Sequence, residues 1–165
     1  MEGTMKTFVD NAGRTWTVAI NVNAIKRVRA LLDINLLEVI EGQLIDKLIR
    51  DPVLLCDVVY AVCKPEADAH AIGDEEFGRS MAGDAIEQAT KALLEDLVLF
   101  SPSPRDRANM QCVLQTTWRM MDKARDLIEA KLDSGAMERE VEQMLQKSSD
   151  LSGNSQASSE PILVP

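Results

Sequence analysis

Catalysis needs a nucleophile with its base, or metal ligands at short spacing, and the residues of this chain that could supply either are few. There are three cysteines, Cys56, Cys63 and Cys112, and a single histidine, His70. A zinc site draws on closely spaced Cys and His pairs. Cys56 and Cys63 stand seven residues apart with no second pair, which reads as two buried thiols on one helical face. A carboxylate-bridged dimetal centre would use Glu-x-x-His motifs on helices, but Ala67 stands three residues before His70. His70 itself, between acidic neighbours Glu66 and Asp68, reads as an exposed loop histidine. The carboxylates Asp74-Glu75-Glu76 and Glu95-Asp96 fall at helix starts or on exposed faces, where the helix dipole and solubility account for them. Gly73, Gly78 and Gly83 surround a short helix and lack the preceding strand and following Lys of a phosphate loop. The expectation is a protein with no catalytic residue, no cofactor and no metal ligand.

Composition narrows the class further. Of 165 residues, 45% are hydrophobic and 27% charged, enough for one soluble domain with a sizeable core. Aromatics are 4%, so the core is built from aliphatic side chains and Met, which favours helices over a β-sandwich. The net charge is -9, and residues 51–102 concentrate it, with 3 positive and 11 negative side chains. A polyanion would be repelled there, so nucleic acid is not an expected partner. The one basic cluster, Lys26, Arg27 and Arg29, reads as a solvated helix face. The most apolar stretch, Val53 to Val62, is too short to span a bilayer and holds Asp57, so no membrane association is expected. The first 20 residues carry Glu2, Asp10 and a strand-like alternation in place of an apolar leader. With three cysteines in no secreted-type pattern, a reducing cytoplasm is the expected location.

The elements that would carry these residues are mainly α. Lys6 to Val9 and Thr15 to Ile20 alternate as two strands around the turn Asp10-Asn11-Ala12-Gly13, with Trp16, Val18 and Ile20 on the buried face. Helical periodicity then takes over. A short helix starts at Asn21 or Asn23, a second stretch covers Leu36 to Arg50 with Gly42 as a point of interruption, and Asp51-Pro52 opens a third. That third helix is apolar all round from Val53 to Cys63 and reads as the centre of the fold. Lys64 to Gly73 reads as a loop, Asp74 to Met81 as a short helix, and Asp84 with Glu87 as the capping box of the next. Ser103 and Pro104 begin a helix that runs to Asp133, roughly 45 Å at 1.5 Å per residue. Ser134-Gly135 breaks it, and a last helix ends near Lys147. The expected architecture is an N-terminal β-hairpin (5–20) followed by a bundle of about six helices in a single domain, 1–147, with a flexible Ser-rich tail at 148–165.

On the long helix, Met110, Leu114, Thr117, Met121, Ala124, Ile128 and Leu132 form one stripe. Val113, Met120 and Leu127 flank it on one side and Trp118 on the other. An apolar face covering about half the circumference is either packed by two neighbours of the same fold or in part awaits a partner. Five of the eight methionines lie between Met110 and Met144, and unbranched Met suits surfaces that accept varied partners as well as cores. Trp16, Met110, Leu114, Trp118, Met120 and Met121 are the candidate partner-binding residues.

One run of features resembles a known family. Thr7-Phe8-Val9-Asp10 with Gly13-Arg14-Thr15-Trp16-Thr17-Val18, then Asp51-Pro52-Val53-Leu54-Leu55-Cys56-Asp57, then Asp74-Glu75-Glu76-Phe77, Gly83-Asp84-Ala85-Ile86 and Ala92-Leu93-Leu94-Glu95-Asp96-Leu97 are similar to tail assembly chaperones of long-tailed, siphovirus-type bacteriophages. The resemblance runs from about Met5 to Lys147 and rests on packing and capping motifs. It implies a non-enzymatic, mostly helical protein of the bacterial host cytoplasm. Such a protein coats the tape measure protein, or another tail protein, before tube subunits polymerise, and it forms a homo-oligomer. Such families often make a longer product by frameshifting near the end of the short form. The alternative is a structural virion component or small assembly adaptor retained in the particle.

Overall fold

The computed structural model describes residues 5–41 and 43–152, with the backbone alone described at 40, 41, 151 and 152. Two strands, β1 (Lys6–Val9) and β2 (Thr15–Val18), pair antiparallel with Phe8 opposite Trp16. Seven α-helices follow among the described residues: α1 (Val22–Leu32), α2 (Gln43–Arg50), α3 (Pro52–Ala69), α4 (Asp74–Arg79), α5 (Asp84–Phe100), α6 (Pro104–Asp133) and α7 (Ala136–Ser152). A 3-10 segment, Leu36–Glu41, precedes α2. The chain groups into two compact units, 1–116 and 117–165.

Side-chain caps set three of the seven described helix starts. The Asn21 side chain accepts from the Ala24 N–H, and Asp51 accepts from Val53 and Leu54 with Pro52 at the first helical position. Ser103 Oγ accepts from the Asp106 N–H at the start of α6. In the first unit α3 supplies the buried centre through Leu55, Val58, Val59, Ala61, Val62 and Cys63, and α5 supplies Ala85, Ala89, Leu93, Leu94, Leu97 and Val98. The hairpin lies on α5 through β1 and on α3 through β2, and α1 packs along α3. Trp16 meets Phe77 edge-on at 5.1 Å between ring centroids, and Tyr60 meets the same ring at 5.3 Å.

Several local expectations are corrected. The segment from Lys64 is helical: α3 continues through Pro65 to Ala69. A proline inside a helix removes the N–H that would bond the carbonyl four residues back and crowds that carbonyl. Here Arg27 compensates, donating from Nε to the Ala61 carbonyl and from its terminal nitrogen to the Val62 carbonyl at 2.8 Å. Arg27 is therefore partly buried structure, not part of a solvated basic face. Asp84 does not cap α5; Gly83, at φ 56°, takes that position without a side-chain bond, and Asp84 is the first helical residue. The second strand ends at Val18, and α4 at Arg79. The last helix passes Lys147 and reaches Ser152, so the first residues of the expected tail are helical, while 153–165 lie outside the described residues.

Candidate functional site

The hairpin turn is organised by one carboxylate. Asp10, 4% exposed, accepts from the N–H groups of Ala12 and Arg14, from Arg14 Nε, from Trp16 Nε1 at 2.9 Å and from Ser80 Oγ. Burial alone would raise its pKa. The hydrogen bonds from Trp16, Arg14 and Ser80 outweigh that and hold it below the ordinary carboxylate value. Arg14 also reaches Glu76 at 2.6 Å, and the two acids raise its pKa. An open cleft of about 320 Å³ beside this network is lined by Arg14, Thr15, Trp16, His70 and Ile72. The guanidinium there is engaged by its two carboxylates, and His70 is an exposed residue at the C-cap of α3.

The outward edges of the hairpin are engaged as well. The Thr17 N–H donates to Glu66 at 2.9 Å, the Val9 N–H to Gln88 Oε1, and the Ile20 N–H just beyond β2 to Asp96 at 2.6 Å. Burial raises the Asp96 pKa, with the Ile20 hydrogen bond and Lys6 opposing. At these positions the backbone is bonded to carboxylate and amide side chains of α3 and α5, which is how natural sheets blunt an edge.

The six candidate contact residues separate by burial. Trp16 is 1% exposed and enclosed in the core of its own unit. Met110 and Leu114 are also buried, so the start of the long stripe serves packing. Trp118 and Met121 are half-buried, and the Trp118 Nε1 is a buried donor with no partner. Met120, at 66%, is the one fully exposed member. The exposed apolar surface lies further along: from Arg119 to Asp150 no side chain is buried. Leu127, Ile128 and Leu132 on α6 and Met137, Val141, Met144 and Leu145 on α7 are all exposed large hydrophobics. The three-four spacing that marks a packed face in 110–114 continues past Gly135, and spacing alone does not distinguish a covered stripe from an open one.

Cysteine chemistry is settled by position. Cys63 is buried on α3, and desolvation, with Glu66 adding to it, pushes its thiol up to about 12. Burial and then Asp57 raise the Cys56 thiol, while Cys112 is exposed on α6. Among the described residues no group of three or more His, Cys, Asp or Glu is placed to hold a metal ion. No helix there is long and apolar enough to cross a membrane. Comparison of the chain with models of known protein families, with curated proteins and with solved structures finds no match.

Proposed function

We propose that this protein is a tail assembly chaperone of a long-tailed bacteriophage, acting in the bacterial cytoplasm to hold the tape measure protein soluble while the tail is built. The observation that supports the reading is the open apolar surface of 117–150. Large exposed apolar patches mark interaction sites in soluble proteins. Met120, Met137 and Met144 on it are flexible enough to fit different stretches of one long helical client. The first unit is then the folded base, and the apolar helices do the holding. The resemblance of the hairpin, Asp51-Pro52 and Gly83-Asp84 segments to that family supplies the choice of client.

Co-expression with the tape measure protein tests the reading. The wild-type chain should keep the client in the soluble fraction, and a Leu127→Asp, Met144→Asp variant should release it to the pellet. A client equally soluble with and without the chain would count against the proposal. So would recovery of the chain in finished particles at virion stoichiometry.

A further inference from the structure

The apolar stripe of α7 is narrow and open. At about 100° per residue, Met137, Val141, Met144 and Leu145 share one arc of about 100°, and all four are exposed. Most of the stability of a helix this short comes from covering such a stripe. The chain itself carries an apolar segment within reach. α7 is described to Ser152, and residues 153–165 follow outside the described part. Gly153 to Glu160 holds no large apolar side chain, whereas Pro161-Ile162-Leu163-Val164-Pro165 is apolar throughout.

Length decides where that segment can land. Met144 stands eight residues before Ser152 and Val141 eleven, about 12 Å and about 17 Å back along the helix axis. Ten residues of Gly/Ser-rich composition, the number from 153 to 162, have a root-mean-square span of about 17 Å. Span and tether therefore match, the condition under which tethering raises local concentration most. The flanking prolines favour an extended run of about 3.1 Å per residue, so Ile162 at the level of Met144 brings Val164 near Val141. We propose that Ile162, Leu163 and Val164 fold back in the same chain and cover α7 at Val141, Met144 and Leu145, as a tethered occupant that any partner of this face must displace. The inference adds a regulation to the surface of the functional reading, but the contact itself does not rest on the client.

The full chain tests it against a variant with Ile162→Ser, Leu163→Ser and Val164→Ser. Amide exchange across residues 141–148 should be at least about threefold slower in the wild type, because the covered helix opens less often. Equal exchange in the two overturns the proposal. A nitroxide on Ser158→Cys, in a Cys56→Ala, Cys112→Ser background, should broaden the Met144 methyl signal, and the three serine substitutions should relieve that broadening. Broadening that the substitutions leave unchanged overturns it. In a mixture of spin-labelled chains with isotope-labelled chains that carry no nitroxide, the methyl signal should stay sharp. Equal broadening in the mixture would make the occupant a second copy and also overturn the proposal. Failure to solubilise the client with the tail still docked would instead remove the functional reading and leave this one standing.

Discussion

Asp10 gathers five donors at a buried position, so its loss leaves several of them without an acceptor. Asp10→Ala should cost about 3 kcal/mol, most of it from the stranded Trp16 and Arg14 donors. Asp10→Asn should cost less, because the amide oxygen still serves the turn N–H groups while its nitrogen opposes the indole. The folded pKa lies below the ordinary 3.8. The stabilisation is therefore complete at pH values above 3.8 and is lost as pH falls through the depressed folded value. Thermal melts from about pH 5 to about pH 2 should show the wild type losing stability below 3.8 more steeply than Asp10→Asn. An identical slope in both would mean that Asp10 carries no such linkage. The thiols give an independent check: with a maleimide under native conditions Cys112 should label and Cys63 should stay unmodified until the chain unfolds.

The helix ends show what can be read from sequence and what cannot. Asn21, Asp51-Pro52 and Ser103-Pro104 announce their helices because a cap is a bond between residues two or three apart. Pro65 misleads for the complementary reason: its effect on α3 is offset by Arg27, on a different helix. The hairpin's buried face was legible from alternation, but the role of Asp10 depends on Ser80, seventy residues away. The apolar face of the long helix was legible as a stripe holding Met110, Leu114 and Met121, with Met120 and Trp118 on its flanks. Which part of it is covered depends on tertiary packing that spacing does not encode. A double-mutant cycle tests the Arg27 account. Arg27→Ala alone should cost about 2 kcal/mol, and distinctly less in a Pro65→Ala background, where the restored N–H takes the Ala61 carbonyl. Additive costs would separate the two residues. Leu55→Ala, at the buried centre of α3, should cost about 2 to 4 kcal/mol in denaturant unfolding. A cost under about 0.5 kcal/mol would place α3 at the surface.

At the scale of the whole molecule, the buried core and the stretch without buried side chains are different parts of the chain. The described core residues lie between Phe8 and Leu114, whereas no side chain from Arg119 to Asp150 is buried, and eight of the sixteen exposed large hydrophobics lie in that later stretch. A chain ended at Ser134 should therefore melt at the same temperature as the full chain when both are dilute, since no α7 side chain from 136 to 150 is buried. Scanning calorimetry would check this, and a lower melting temperature for the dilute shortened chain would assign α7 a place in the core.

The burial of Trp16 has an optical consequence. The chain has two tryptophans, one in each unit: Trp16 sealed beside Phe77 and Trp118 half-covered on α6. Their indoles sit in different surroundings, so their emission colours should differ, with Trp16 the bluer. Replacing either one with Phe leaves a single lamp in a known unit. The protein thus carries native fluorophores that can report the melting of its first unit and changes around α6 as two separate signals, with no dye attached.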